Sequence, residues 1–497
     1  MAAGIFLARV LGLIRERVFA FYFGAGHEAD AYRAALKIPN VIRNLLGEGT
    51  LSASFIPVYA ALLQQGEREA ARQLASTIAS LVVVVAVAGA FLGSLLAPVI
   101  TDFVAPGFDQ PARDLTATLV RIMFPMTGVM ILSGWCLGVL NTHRRFFLSY
   151  AAPAVWNIAQ IAALIGFGSW LAGWTGERLV IALAWGALVG SVLQVLVQLP
   201  ATLKLVGAFR WSLSIGTAES RRVIRAWVPV MIGAGVWQIS SVIDTQLGSL
   251  LGMGAVASLG YAQLIAVLPT SLFGISIAAA ALPELSRDAA AASPEATRER
   301  LAVGARRVAF FVIPSAFALA ALGIHAVGAL YQTGSFDVTQ SQVVAGVLAA
   351  YAIGLPAQSS VRLLTSGHYA LGDTRTPVRI AMGTVILAAG LAFLLMRPFG
   401  AAGIALGSAI AAYLNLSLNY IFLERRTGAI LQAPERKAIA LTVVASLAAV
   451  AAGVLVEPLV ATEHVILRAA ATLGAFGVVY LAGVRSLKHP DALQLLG

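Results

Sequence analysis

From residue 3 to residue 484 the chain repeats one pattern, a long apolar stretch followed by a short polar turn. A stretch of roughly 20 mostly apolar residues is enough to cross a bilayer as a helix. The pattern predicts fourteen such spans, at roughly 3–24, 30–63, 74–100, 115–141, 148–171, 179–203, 223–251, 256–282, 303–330, 339–367, 376–396, 401–424, 437–456 and 464–484. The predicted fold class is therefore an all-α polytopic membrane protein. The longest stretches exceed the hydrocarbon thickness and call for tilt, kinks or protrusion into the interface. Pro39, Pro125, Pro229, Pro269 and Pro356 fall inside spans. Each removes a helix hydrogen bond and favours a kink, which survives in a membrane where it is packed in protein or faces a cavity.

The polar turns carry an orientation signal. Alternate turns, 64–73, 142–147, 201–225, 284–307, 368–379, 424–437 and the C-terminal tail, hold 22 Lys and Arg residues. The intervening turns hold only Arg113, Arg178 and Arg397. Basic residues concentrate in cytoplasmic loops, so both termini are expected in the cytoplasm, and the even span count fits the alternation.

A weak repeat also runs through the chain. Gly24-Ala25-Gly26 recurs as Gly252-Met253-Gly254, and Pro39, Pro57, Leu74 and Pro125 recur as Pro269, Pro283, Leu301 and Pro356, with offsets of 226 to 231 residues. That offset covers six spans, an even number, so the two halves share one orientation, as in transporters built from parallel repeats. The expected organisation is a bundle of six helices at 1–212, a second at 213–430, and an appendix of two helices at 431–497.

Composition sharpens this. The chain is 59% hydrophobic and 11% charged, with mean hydropathy +0.85, against about 45–50% apolar and about 25% charged in soluble domains. The net charge of +11 sits largely in the short turns, where it sets topology, so nucleic acid is not an expected partner. One cysteine, Cys136, excludes an internal disulfide and a multi-cysteine metal site. The six histidines show no metal spacing, and no P-loop, HExxH or GxSxG signature appears. No catalytic residue, metal or cofactor is expected, and the chain does not read as an enzyme.

The unusual chemistry lies at the start. Arg9, Arg15 and Arg17 interrupt the first span, and Arg33, Lys37 and Arg43 interrupt the second. An Arg at the bilayer centre costs about 2.5–3.5 kcal/mol even on lenient scales, so these groups must be hidden from lipid, in water or against an anion. Arg33 and Lys37 are spaced i, i+4 and share a helical face. Gly47 and Gly49 flank Glu48 and weaken the helix there. Glu16, Glu28, Asp30 and Glu48 can neutralise some of the six cations but leave an excess of two. Asp244 is a lone intramembrane acid and a candidate for ion coupling, with Gln238, Ser240 and Ser241 as the alternative, purely structural, partners.

Several of these segments have a family likeness. Arg9 to Arg15, Phe23 to Gly26, Ala29 to Tyr32, Lys37 to Arg43 and Gly47 to Pro57 closely resemble the MurJ (MviN) family, lipid II flippases of the MOP exporter superfamily. Softer likeness appears at Ala105 to Phe108, Leu140 to Phe146, Leu282 to Ser286 and Gly372 to Val378. The resemblance implies two six-helix bundles in a V around a cationic cavity, with helices 13 and 14 forming a groove for the polyprenyl tail. It implies that Arg9, Arg15 and Arg43 bind substrate, with Asp30 and Glu48 as acidic partners; the charge pattern adds Arg33 and Lys37 as substrate-binding candidates. An arginine suits this role because its planar fork of donors matches phosphate oxygens, and lipid II carries a pyrophosphate.

Two departures qualify the likeness. Relatives commonly carry an arginine in helix 8, where this chain has Leu264 after Tyr261-Ala262-Gln263. Relatives with a sodium site supply ligands from helix 11, where 385–393 here offers no side-chain ligand, so no sodium site is expected around Asp244. The expected function is flipping of lipid II across the bacterial inner membrane by alternating access, driven by membrane potential or an ion. The expected form is a monomer that can associate with the wall-synthesis machinery. The alternatives are a related exporter for another polyprenyl-linked glycolipid, a transferase acting on a lipid-linked sugar, and a scaffold for wall synthesis. A transferase would have only His27, Glu28 and Asp30 in a turn of a few residues as its acid–base platform.

Overall fold

The computed structural model describes the backbone of residues 2–291, 293–460 and 464–496, and their side chains except at 2, 48, 232–234, 236, 237, 495 and 496. Regular structure among the described residues is helical throughout, and all fourteen expected spans fall on helices. By packing, the chain forms two units, Met1–Val256 with Thr333–Ser335, and Ala257–Gln332 with Phe336–Gly497.

The first unit contains α1 (Ala2–Phe23), α2 (His27–Leu46), α3 (Glu48–Gln64), α4 (Arg68–Leu95), α5 (Ala97–Val104), α6 (Gln110–Thr142), α7 (Phe146–Ile165), α8 (Gly176–Val206) and α9 (Ala218–Ser249). At its centre is α6, packed against α2, α3, α4, α5 and α8. Met123, Met126, Met130, Trp135 and Cys136 are buried along it. Its start is fixed by Asp109, whose carboxylate accepts the Ala112 N–H at 3.1 Å. Between α6 and α8 the core is polar: the Gln194 amide donates to Ser133 Oγ at 2.8 Å, and Ser133 donates to Gln198 Oε1 at 2.8 Å. Such bonds hold membrane helices together where the hydrophobic effect cannot. Helix α1 packs on α7, and α9 packs on α2, α3 and α5.

The expected span 30–63 is two helices. The break is at Gly47, with φ −100° and ψ −133°. Its N–H donates to the Arg43 carbonyl at 2.7 Å, and a Cβ there would lie 2.5 Å from that oxygen. The turn needs a residue without a side chain. Pro39 lies inside α2, which continues past it to Leu46.

The second unit contains α10 (Ala255–Pro269, its first two residues counted with the first unit), α11 (Ile275–Ala290), α12 (Pro294–Ala321), α13 (Gly323–Tyr331), α14 (Val338–Ala370), α15 (Arg375–Thr427), α16 (Ala433–Val456), α17 (Val465–Ser486) and α18 (Pro490–Leu496). A turn of π-helix, Thr270–Gly274, links α10 to α11 directly after Pro269. The 53 residues of α15 are interrupted at Gly400, with φ 55°. The two halves meet through Gly403 and Gly407, which lie against the backbone of Leu395 and Ala392, and so supply the two expected spans at 376–396 and 401–424. Among the described residues eleven helical stretches are long and apolar enough to cross a membrane, α15 counting once. The charged α1, together with α9, covers the other expected spans.

The outside of both units is apolar. Val84, Val87, Phe91 and Leu95 on α4, and Ile386 and Leu394 on α15, are exposed, while Ser133, Gln194, Gln198, Asn415 and Asn419 are buried. That inverts the soluble pattern and suits a hydrocarbon surround. The protein is a multi-pass membrane protein.

Candidate functional site

The charged residues of the first two helices meet on one carboxylate. Arg15 and Glu16 are neighbours on α1, and the Arg15 guanidinium donates to Glu16 Oε1 at 2.5 Å. From α2, Arg33 donates to Glu16 Oε2 at 2.8 Å. The three side chains are 17%, 9% and 16% exposed respectively for Arg15, Glu16 and Arg33. Two guanidiniums on one carboxylate leave a net positive charge in a nearly dry place.

Aromatic rings complete the surround. Arg15 stands over Trp156 of α7, 5.0 Å from the ring centre, and Arg33 over Phe19, at 5.4 Å. Ring faces attract cations, by about 2 kcal/mol or more where water is excluded. Tyr32 donates to Gln160 Oε1 of α7 at 2.9 Å, joining α2 to α7 beside the cluster. Arg15, Glu16, Phe19, Tyr32, Arg33 and Gln160, with Leu36, Leu164 and Leu183, line a cavity of about 30 Å³, large enough to hold water.

The remaining expected residues are spread around this cluster. Arg9 lies six residues before Arg15 on α1 and is exposed. Lys37 is one turn beyond Arg33 and feels its charge, as the i, i+4 spacing requires, and it also faces Asp244 of α9, whose carboxylate attracts it. Asp244 thus has a cationic partner that spacing in one sequence could not reveal. Arg43 is half-buried in the last turn of α2, beside the Gly47 break. The Glu48 side chain lies outside the described residues. Asp30 is buried, and its carboxylate accepts the Gly254 N–H at 2.5 Å. Gly254 has φ 86°, and a Cβ on it would sit 2.6 Å from the Ala25 carbonyl. The two Gly-x-Gly turns of the sequence repeat therefore touch.

The family model described as "Lipid II flippase MurJ" matches residues 19–472. The chain belongs to the MurJ family. A lipid II flippase MurJ of Burkholderia cenocepacia is 34% identical over 427 residues, covering 84% of this chain and 82% of its own length. A probable lipid II flippase MurJ of Rhizobium tropici is 30% identical, covering 96% and 90%. A solved structure described as lipid II flippase MurJ in an inward closed conformation has the same fold, with TM-score 0.83 at 23% identity over 99% of both chains. A MATE multidrug transporter of the MOP superfamily, in an inward-facing conformation, matches with TM-score 0.68 at 14% identity over 85% of this chain. The resemblance read from the sequence holds, and MurJ proteins are transporters, not enzymes.

Within this MurJ-family chain, Asp30, Arg33, Lys37, Arg43, Glu48 and Asp244 lie inside the matched stretch, and Arg9, Arg15 and Glu16 just before it. Sequence reasoning named Glu16 only as one of several neutralising acids; the structure makes it the centre of the cluster. Trp156 and Gln160 were missed. A glutamine inside the span 148–171 was the available signal, since a polar amide in hydrocarbon needs a partner. Leu264, in place of the expected helix-8 arginine, is half-buried on α10.

Proposed function

We propose that this chain flips lipid II across the bacterial inner membrane by alternating access. Family membership supports the class of substrate. The observation that carries the reading to particular residues is the Arg15–Glu16–Arg33 cluster, two guanidiniums gathered on one carboxylate in a low-exposure site. Arg15 and Arg33, with Arg9, Arg43 and Lys37, would bind the pyrophosphate, while Asp30 and Glu48 act as acidic partners. No bond is made or broken. Charge-assisted contacts to phosphate oxygens hold the headgroup, and the tail stays in the bilayer.

The remaining assignments belong to the same reading. The sequence repeat divides the chain into bundles at 1–212 and 213–430, with 431–497 as the tail groove. Packing instead counts α9 with the first unit, so α9 belongs to one half by repeat and to the other by contact. Asp244, facing Lys37, is the candidate for ion coupling. The loop asymmetry supports cytoplasmic termini, and a monomer that meets the wall-synthesis machinery fits the function. Leu264 favours one second reading, transport of another polyprenyl-pyrophosphate glycolipid, because it removes a cation from the second half.

Complementation of a strain depleted of its own lipid II flippase tests this. Wild-type protein should restore growth. Arg15→Ala and Arg43→Ala should each fail while accumulating in the membrane at the normal level, and Arg43→Lys should restore growth in part, since an ammonium keeps the charge and loses the fork. Failure of the wild type, well expressed, would leave the second reading; normal growth with both alanine variants would remove the arginines from the site.

A further inference from the structure

One of the softer sequence motifs, Gly372 to Val378, builds a site in the second unit that the transport reading does not use. His368 lies in the last turn of α14, with no measurable exposure of its side chain. Two residues after it α14 ends. Gly372 takes φ 74°, a conformation that suits glycine, and the chain turns back so that the Asp373 N–H donates to the His368 carbonyl at 2.9 Å. That turn brings the Asp373 carboxylate under the imidazole of His368. Its Oδ1 accepts the N–H groups of Arg375 and Thr376 at 3.2 and 3.0 Å, capping α15. Its Oδ2 faces His368 Nδ1 at 3.7 Å and Arg426 at 3.2 Å. The Thr376 N–H, first among several causes, holds the Asp373 carboxyl below its ordinary pKa, so the group is a fixed anion.

The other ring nitrogen, Nε2, lies 3.3 Å from the Asn419 carbonyl. Both nitrogens of His368 thus face acceptors. A neutral imidazole has one donor and one acceptor nitrogen, so one position is left unsatisfied; Nδ1 has no hydrogen-bond partner here. The imidazolium, a donor at both ends, fits both neighbours, and the negative end of α14 favours it further. His489 provides a contrast: the Asp491 carboxylate lies 3.8 Å from its Nδ1, but that nitrogen already accepts the Asp491 N–H at 3.2 Å, and its Nε2 faces Thr442 and the Ala438 carbonyl. A neutral ring is satisfied there.

The ring is also wired inward and outward. Asn419 donates to Asn415 Oδ1 at 2.7 Å, and Asn415 donates to Thr384 at 2.9 Å, a buried polar ladder joining α14 to both halves of α15. Toward solvent, the Asp373 side chain is 10% exposed and Arg426 is 50% exposed. Burial opposes a charge on the ring most, while the Asn419 carbonyl and the Asp373 carboxylate favour it and Arg426 opposes it.

We propose that His368 is a proton-binding site, loaded through Asp373 from the aqueous side that the 368–379 turn faces, and that the bound proton locks the end of α14 onto α15. The proton bonds to Nδ1 and is held by the carboxylate; its release leaves a neutral ring with one orphaned nitrogen and a looser junction.

The test is ring NMR of the full-length protein in lipid nanodiscs with labelled histidine, the probe being the proton itself. The His368 signal is assigned by its loss in His368→Gln or, if that variant does not accumulate, by replacing the remaining histidines. The signal should pass between neutral and charged forms within about pH 5 to 8, the range histidine reports. Asp373→Asn, which keeps the Oδ1 cap, should weaken proton binding about tenfold, the equivalent of one pKa unit. A ring that stays in one protonation state throughout that range, or a midpoint that ignores Asp373→Asn, overturns the proposal. Because the readout is titration and not flipping, it stands or falls apart from the lipid II reading.

Discussion

Glu16 decides whether the cationic cluster is a folded part of the protein or a set of loose charges. It is the shared acceptor of Arg15 and Arg33, and all three side chains are largely withdrawn from solvent. Removing one partner of a buried ion pair commonly costs about 3–5 kcal/mol, because the other charge is left uncompensated. Glu16→Gln strands two guanidiniums at once and should lower thermal stability in detergent by that order. Arg33→Gln leaves Glu16 with Arg15 and should be milder, and the double variant should recover part of the loss of Glu16→Gln, since coupled neighbours are not additive. Thermal unfolding of the four proteins checks the ranking; equal melting of Glu16→Gln and wild type would mean that other groups neutralise the arginines. The sequence disclosed the charge excess here because charge is counted without coordinates. It hid Trp156 and Gln160, since their partners Arg15 on α1 and Tyr32 on α2 lie more than a hundred residues away from α7 and periodicity carries no information about which helices touch.

The helices themselves were legible because hydrocarbon imposes one demand on every span: backbone polar groups must be bonded internally. Their interruptions were legible only in part. The weak point at Gly47-Glu48-Gly49 is a real break, whereas the division of span 256–282 by a π turn after Pro269 needed the structure. The short α18 carried no apolar signal, yet it is tied down. Asp491, only 2% exposed, binds Arg306 at 2.8 Å, so α18 is fastened to α12, and Tyr480 of α17 donates to the Phe310 carbonyl at 2.5 Å. Asp491→Ala should therefore undock α18 and cost about 3–5 kcal/mol, through the stranded Arg306. Acid should loosen the same corner. Burial holds His489 below its ordinary pKa, so the unfolded chain binds the proton more readily than the folded one. The stability contributed by the neutral ring is then fully present above about pH 6.5, the unperturbed value, and is lost as pH falls from there through the lowered folded value. Proteolysis of the C-terminal residues, followed from neutral pH to about pH 5, should accelerate in wild type and be nearly pH-independent in His489→Gln.

At the scale of the whole molecule, the single most informative quantity is the distribution of basic residues between the two sets of turns, because it predicts orientation without reference to any contact. With 22 of them in one set and only Arg113, Arg178 and Arg397 in the other, an odd number of spans between any two turns of the same set is excluded by the positive-inside rule. Glu295, exposed in the first turn of α12, belongs to the rich set and Thr175, exposed before α8, to the poor one. In a Cys136→Ser background, which removes the chain's own thiol, Thr175→Cys should react with a membrane-impermeant maleimide applied to intact spheroplasts, while Glu295→Cys should react only after the membrane is permeabilised. The two positions are separated by helices α8 to α11, three spans, so they must lie on opposite faces whichever face is cytoplasmic. Reaction of both in intact spheroplasts would break the span assignment itself; reaction of Glu295→Cys alone would keep the spans and invert the protein, and with it the side from which a headgroup would first reach the Arg15–Glu16–Arg33 cluster.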